Sequence, residues 1–175
     1  MLHPASIDIV TDTVRHCMTV TEVEDGGFFA GRLFHTKYGH PVPDFGRHVV
    51  VFYRDERAAL HVLSYLHFWR QDRLGLIGGA CTDGNVMRAM PDEHARAINS
   101  SGGALHHTLL YAFSRFSAGI DAFFGHAGDA RAREVDLASG FQETSDEYLL
   151  IKPVRPLAAQ EQTSLITQAL ALGSF

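Results

Sequence analysis

The alternation of apolar and polar residues is clearest in the middle of the chain. Val49-Val50-Val51-Phe52-Tyr53 is a β-branched and aromatic run, and Ala59 to Trp69 is a second long apolar stretch after a polar turn. Because such runs favour strands, residues 49–69 are predicted to form a long antiparallel hairpin. Residues 74–81 add a further apolar strand that contains several glycines. Glycine weakens a strand but permits a bulge or the close approach of another backbone.

The first and last parts of the chain carry weaker patterns. Apolar residues at helical spacing predict a helix within residues 6–20. Glu24 to Gly27 is predicted to be a turn between strands, with Phe28 to Phe34 as the return strand. Residues 157–172 predict an amphipathic helix, whose apolar stripe suits either a cap on the sheet or a homodimer contact.

Helices and strands alternate in the second half. Pro91 opens a helix, and a glycine-rich loop then leads into an apolar helix over residues 104–117. Residues 120–126 predict a compact buried strand, and residues 130–139 a short helix that ends at Gly140. The expected fold is therefore a single α/β domain, antiparallel in its first half and βαβ-like in its second.

Composition narrows the range of partners. The chain has 175 residues, 46% of them hydrophobic and 20% charged, with a formal charge of −5. This length predicts one domain over residues 1–175. No basic face is expected for such a chain, so neither nucleic acid nor a membrane is predicted as a partner. The N-terminus does not resemble a signal peptide, and two cysteines do not make a disulfide framework, so a cytoplasmic location is expected.

The glycine-rich loop is the strongest chemical signal. It reads Asn99-Ser100-Ser101-Gly102-Gly103-Ala104 and precedes a helix. Backbone amides without side chains in the way, together with a helix N-terminus, suit a phosphate group. Ser100 and Ser101 can add hydroxyl donors. A glycine-rich turn without a ligand is the alternative, since short motifs of this kind are common.

The order of these motifs resembles the GNAT superfamily of acyl-CoA N-acyltransferases, most closely over residues 49–152. That family has a pyrophosphate loop of the form Gln/Arg-x-x-Gly-x-Gly/Ala, to which Asn99-x-x-Gly102-x-Ala104 is similar. Its later segment reads Asn-x-x-Ala-x-x-Leu-Tyr-x-x-x-Gly-Phe. Here Asp129 replaces Asn, Ala132 matches, and Gly140-Phe141 closes the segment. Asp136 occupies the position of the family's usual general-acid tyrosine.

The resemblance implies a GNAT-like mixed, largely antiparallel sheet flanked by helices. It implies acetyl-CoA or another acyl-CoA as a substrate, and a small-molecule or peptide amine as the acceptor. The strand before the loop would pair with the pantetheine arm, and the next strand would diverge from it to open a cleft. The implied cofactor-binding residues are Gly79, Ala80, Cys81, Thr82, Asn99, Ser100, Ser101, Gly102, Gly103, Ala104 and Asp129.

Acyl transfer to an amine needs a base for the ammonium proton and an acid for the leaving thiolate. The candidate bases are Asp83, His67 and His126. Asp136 can act as an acid only if its pKa is strongly raised, and its position is more typical of a solvated residue. The other candidate acids are Tyr111 and Tyr148, with Tyr111 preferred.

Other chemistry has less support. A lone cysteine on an apolar strand, such as Cys81, is usually an inert core residue. The eleven histidines have no metal-ligand spacing, so no metal site is predicted. Three hypotheses stay open: an N-acyltransferase, a CoA-binding or regulatory module of the same fold without catalysis, and a histidine-rich metal protein.

Overall fold

The computed structural model describes residues 12–175, and residues 12–17 are helical. Seven strands follow: β1 (Met18–Val23), β2 (Arg47–Arg54), β3 (Leu60–Gln71), β4 (Leu74–Thr82), β5 (Ala122–His126), β6 (Gln142–Glu143) and β7 (Leu149–Pro153). The remaining helices are α1 (Gly26–Tyr38), α2 (Gly84–Ala89), α3 (Asp92–Ser100), α4 (Ala104–Phe116), α5 (Ala130–Ala138) and α6 (Ala159–Ala171).

The seven strands form one mixed sheet in the order β1-β2-β3-β4-β5-β7-β6. Every neighbouring pair is antiparallel except β4 and β5, which run parallel. The predicted fold class, a mixed and largely antiparallel sheet flanked by helices, is confirmed. The predicted 49–69 hairpin is also confirmed as β2 and β3.

Helices cover both faces of the sheet. Leu109 and Phe113 of α4 pack on Leu66 and Phe68, and this side of the sheet is called the α4 face. The opposite side, called the α1 face, is covered by α1 near the middle of the sheet and by α6 near β5 and β7. The predicted C-terminal helix therefore caps the sheet within the described chain. A cleft lies between these layers, at the only parallel strand pair of the described sheet.

Two N-terminal predictions differ from the structure. The helix predicted within residues 6–20 is replaced by strand from Met18 onward, and residues 6–11 lie outside the described residues. The strand predicted for Phe28 to Phe34 is wrong, because these residues lie in α1. Asp25 caps this helix by accepting a hydrogen bond from the Phe28 amide (2.8 Å), and Gly39 ends it with φ 76°. Two capping signals outweigh the β propensity of a phenylalanine-rich run.

Candidate functional site

A split in the sheet forms the candidate site. β4 and β5 pair from Leu74 with Ala122 to Ile77 with Gly125, and the pairing stops there. The rest of β4, Gly78 to Thr82, continues without β5 as a partner. β5 itself ends at His126, so the structure shows the end of the pairing, and the predicted splaying of the two strands stays a prediction. A strand that loses its neighbour leaves one row of backbone N–H and C=O groups free to pair with something else.

A β-bulge in β4 accompanies the split. Leu66 of β3 pairs with Ala80, but Phe68 pairs with Ile77, so two steps along β3 match three along β4. Gly79 adopts φ 74°, a left-handed conformation that favours glycine. The predicted role of glycine in permitting a bulge is thus confirmed.

The split opens into a cleft of about 1370 Å³. Both sides of the sheet contribute to its lining, through α1 on one side and α4 with α5 on the other. Most residues predicted to bind the cofactor line this cleft: Gly79, Ala80, Cys81, Thr82, Asn99, Gly102, Gly103, Ala104 and Asp129. Ser100 and Ser101 are not part of the lining. Of Asp83, His126 and Tyr111, only His126 lines it, and the further candidates His67 and Asp136 line it as well.

The glycine-rich loop is built differently from the prediction. Asn99 and Ser100 belong to the last turn of α3, so they are not in a loop. The Gly103 amide donates to the Ile98 carbonyl (2.9 Å) and the Gly102 amide to the Asn99 carbonyl (3.1 Å). This is a Schellman closure of a helix end, with Gly102 at the left-handed position (φ 103°).

These bonds overturn the expected arrangement of the loop amides. The amide of Ser101 also donates to carbonyls of α3, at 3.1 Å for Ala97. The prediction that the amides up to Gly103 point freely into a cleft is therefore wrong. The physical reason is that the last carbonyls of α3 have no helical partner and take the nearest amides. The Ser101 hydroxyl is engaged too, since it donates to the Ile98 carbonyl and accepts from His107.

The next three amides remain available. Those of Ala104, Leu105 and His106 have no hydrogen-bond partner within residues 12–175, and no side chain caps α4. Gly103 precedes this turn, and a Cβ added there would meet no atom within 4 Å. The unpaired first turn of a helix carries partial positive charge and attracts anions. Among residues 99–106, amides without a partner in the described chain therefore lie at the start of α4 rather than in the preceding loop.

Cationic side chains surround the same part of the cleft. Arg88 of α2 and Arg131 of α5 both line it. Lys37 of α1 also lines it and pairs with Asp129 at 3.1 Å. Asp129 caps α5 by accepting from the Ala132 amide (2.8 Å), and this bond and Lys37 lower the pKa of its carboxyl. Asp129 therefore holds two elements together in addition to lining the cleft.

His126 stands at the end of β5, where the split begins. Its Nδ1 atom is buried and has no hydrogen-bond partner within the described chain. Burial lowers the pKa of the imidazole, and Asp146 opposes that shift. The side chain is therefore a neutral base at physiological pH with an unused nitrogen. The ring of Phe175 covers it at a centroid distance of 4.3 Å.

Asp83 and Tyr111 lie outside the cleft. Asp83 caps α2, where its carboxylate accepts from the amides of Asn85 (2.8 Å) and Val86 (3.3 Å). Tyr111 is half-buried on α4, where it packs against the main core. Neither lines the cleft. Cys81 does line the cleft, but burial raises the pKa of its thiol to about 12, which agrees with an inert residue.

Asp136 differs from its expected environment. The sequence indicates a solvated residue, but the side chain is half-buried on α5 and lines the cleft. Burial and the neighbouring Asp129 raise the pKa of its carboxyl to about 7. A carboxyl group with this pKa carries a proton for part of the time at neutral pH.

Replacing Asp136 by asparagine is expected to stabilise the protein at pH 8 and to change little at pH 4. The folded protein retains a proton on this carboxyl that the unfolded chain releases, so the wild type loses stability as the pH rises between about 4 and 7. An amide avoids that loss, and we expect a gain of about 1–3 kcal/mol at pH 8. Urea unfolding at both pH values measures it, with Glu134→Gln on the exposed side of the same helix as the control. A gain that does not depend on pH contradicts the prediction.

Tyr38 is a cleft residue that the sequence analysis missed. Its hydroxyl donates to the Ala80 carbonyl (2.7 Å) and accepts from the Ala80 amide (3.0 Å), so it pairs both groups of one residue on the free edge of β4. Burial raises the pKa of the phenol to about 12, so the hydroxyl remains protonated. The error follows from the incorrect strand predicted before it, because only a helix over Gly26–Tyr38 brings this side chain to β4.

Metal binding and membrane spanning find no support in the described residues. Among the described residues, no group of three His, Cys, Asp or Glu side chains is placed to hold a metal ion. Within the same residues, every helix is too short or too polar to cross a bilayer.

Comparison with known proteins finds similarity among solved structures alone. No protein-family model matches the chain, and no curated protein matches it in sequence. One similar structure is the ribosomal-protein-S18-alanine N-acetyltransferase from Escherichia coli, at 13% identity and a TM-score of 0.48, covering 81% of this chain and 97% of that one. Another is the putative N-acetyl transferase YhhK from E. coli bound to coenzyme A, at 14% identity and a TM-score of 0.46, covering 78% and 98%.

A third similar structure is the KacTA–DNA complex. It has 17% identity and a TM-score of 0.46, and the match covers 86% of this chain and 99% of that one. Identities and TM-scores as low as these carry no argument about function, so the function has to be inferred from the residues of the cleft itself.

Proposed function

We propose that this protein is an acyl-CoA-dependent N-acyltransferase, with acetyl-CoA or another acyl-CoA as the donor and an amine as the acceptor. The observation that carries the proposal is the split between β4 and β5 with the uncapped start of α4 beside it. A pantetheine arm is an extended chain with amide groups, so it can pair with a free strand edge as an added strand does. The diphosphate that follows such an arm needs an anion site at its far end.

The residues present fit such a donor substrate. The amides of Ala104, Leu105 and His106 suit the diphosphate, and Arg88 and Arg131 add charge. Gly79 to Thr82 of β4 suit the pantetheine arm. Tyr38 now pairs with Ala80, and Phe175 lies against Gly78, so both contacts must be released when the arm binds.

The cleft also holds groups for the proton transfers. The amine nitrogen attacks the thioester carbonyl, a C–N bond forms, and the C–S bond breaks. We assign to Nδ1 of His126, which is buried and has no partner in the described chain, the proton that the ammonium group loses. Two groups that line the cleft can supply a proton to the departing thiolate: Tyr38, which stays protonated, and Asp136, which is protonated for part of the time at neutral pH. A second neutral histidine, His67, also lines the cleft.

Calorimetry with CoA and with acetyl-CoA tests the proposal directly. Binding of both ligands, followed by acyl transfer to one member of an amine panel, is the expected result. Failure of both ligands to bind at millimolar concentration would overturn the proposal, because the free edge of β4 and the α4 amides would then not bind CoA.

A CoA-binding or regulatory module without catalysis is the second candidate. It is favoured by Asp136 at the position where the resembling family has a tyrosine, and by Tyr38 on the edge of β4. CoA binding without turnover across a broad amine panel would select this candidate. The expectations of a cytoplasmic location, of a homodimer, and of no nucleic-acid or membrane partner stay predictions.

Replacing Arg131 by alanine should weaken CoA binding about three- to tenfold, since a partly exposed cation contributes a modest amount to holding a phosphate. Arg131 lines the cleft and has no ion pair within the described residues. The matched control is Arg133→Ala on the same helix. Arg133 lies outside the cleft, where it bonds Glu143 at 2.8 Å. Calorimetry at two salt concentrations measures the effect, and equal losses in both variants would contradict it.

A further inference from the structure

Aromatic rings line the α1-face end of the cleft. Phe45 packs edge-on against His67 (5.1 Å between ring centroids) and against Trp69 (5.8 Å). All three residues line the cleft. They are called the ring cluster below. Phe45 is 53% exposed and Trp69 is half-buried, so ring surface remains open to a ligand.

The ring cluster is held rigidly and carries no charge. His67 is buried, and its Nε2–H donates to the Phe45 carbonyl (2.8 Å). The ring of His48 stacks behind it at 5.6 Å and is bonded in turn to the Tyr65 hydroxyl (2.8 Å). Burial lowers the pKa of both imidazoles, so both are neutral at physiological pH. A fixed set of neutral rings is suited to apolar groups and to a cation above a ring face.

The acidic side chains of the cleft do not belong to the ring cluster. Of the described side chains that line it, the only carboxylates are Asp129 and Asp136, and both belong to the α5 region. Asp129 is already paired with Lys37. A ligand with several positive charges loses water from each charge that enters the cleft, and each such charge needs a carboxylate to compensate that cost. The side chains of the ring cluster offer none. The main-chain carboxyl group of Phe175 lies against Gly78 next to His67, and it can pair one positive charge but not several.

We propose that the acceptor is a monoamine whose amino group is attached to an aromatic or apolar group, and that this group packs on the ring cluster. The inference rests on the proposed function, because it identifies the substrate class of the same cleft. Polyamines and other multiply charged acceptors are disfavoured at this end. The amino group itself gains from the ring faces while it is still protonated, and tryptophan is the best of the rings for this contact.

Trp69 provides the measurement, because the chain has a single tryptophan. Its fluorescence is followed while 2-phenylethylamine, 1,4-diaminobutane or spermidine is added, with and without CoA. We expect 2-phenylethylamine to change the signal and to bind at least about tenfold more tightly than either polyamine. Equal or tighter binding of a polyamine would overturn the proposal.

Two variants locate the binding. Phe45→Ala should weaken the binding of 2-phenylethylamine about three- to tenfold. Phe28→Ala is the control, because Phe28 is 79% exposed on α1 and does not line the cleft. Equal affinities in the two variants would overturn the proposal. CoA calorimetry separates the two claims: CoA binding without any 2-phenylethylamine binding removes only this inference, whereas 2-phenylethylamine binding without CoA binding supports the ring site and removes the acyltransferase.

Discussion

Replacing His126 by alanine should lower kcat for acyl transfer by about 100- to 10,000-fold, the range that a positioned general base contributes. CoA binding should stay within about twofold of the wild type, because the diphosphate and the arm are assigned to other residues. The reason is the unpartnered, buried Nδ1 of a neutral imidazole at the point where β4 and β5 separate. A buried nitrogen without a partner costs stability, and such groups are retained where a ligand uses them.

The pH dependence of kcat/KM adds a second readout. Burial lowers the pKa of His126, so the acidic limb of the wild-type profile should lie below the ordinary histidine range and should disappear in the variant. His61→Ala is the control, because His61 pairs with Asp55 at 2.9 Å outside the cleft. If kcat of the His126→Ala variant falls by less than about threefold, general-base catalysis by this residue is ruled out. His67 is then the remaining neutral histidine among the predicted bases.

The parts of the fold that the sequence predicts correctly depend on local patterns. The β-branched run of β2 and the long apolar return of β3 have no competing helical signal, so their pairing follows directly. The glycines of β4 indicate a bulge for the same reason, since a strand with several glycines needs a packing or backbone explanation. The resemblance predicts a split beside β5, and the β4–β5 pairing does end at Ile77 and Gly125 while β4 continues to Thr82.

The glycine-rich loop shows where local pattern is insufficient. Two glycines between helices are typical of a Schellman closure and equally of a phosphate loop. Only the position of the α3 carbonyls decides between them, and it assigns the Gly102 and Gly103 amides to the protein itself. The amides of the first turn of α4 stay unpaired because its N-cap residue is Gly103, which has no side chain to accept from them. The amides of the predicted loop are therefore occupied by α3, whereas those of the first turn of α4 stay unpaired in the described chain.

Long-range contacts account for the remaining errors at the site. Tyr38 reaches Ala80 across 42 residues of sequence, and this contact exists only once α1 packs on the sheet. Asp136 is half-buried because α5 packs beside the cleft, whereas its own sequence neighbours indicate an exposed helix. Burial and partner groups decide which of these residues carries a proton, and neither is encoded in the spacing of the chain.

Replacing Gly79 by alanine should destabilise the protein by about 2–4 kcal/mol. Its φ of 74° costs an L-residue about 1–2 kcal/mol. A Cβ there would also lie 2.6 Å from the ring of Phe34, which is only 2% exposed and cannot move away without disturbing α1. Forcing atoms into such a core adds about 1–3 kcal/mol.

Two other glycines provide matched comparisons for this prediction. Gly31→Ala lies within α1 and meets no atom within 4 Å, so it should stabilise the protein by about 0.5–1 kcal/mol. Gly78→Ala meets the backbone of Phe175 at 2.8 Å, but Gly78 has no positive φ and residues 173–175 lie beyond the last helix, so a smaller loss than at Gly79 is expected. Urea midpoints with unchanged slopes measure all three. A loss below about 0.5 kcal/mol for Gly79→Ala would mean that β4 can adopt another path past Phe34, and the bulge would then not be what separates this strand from β5.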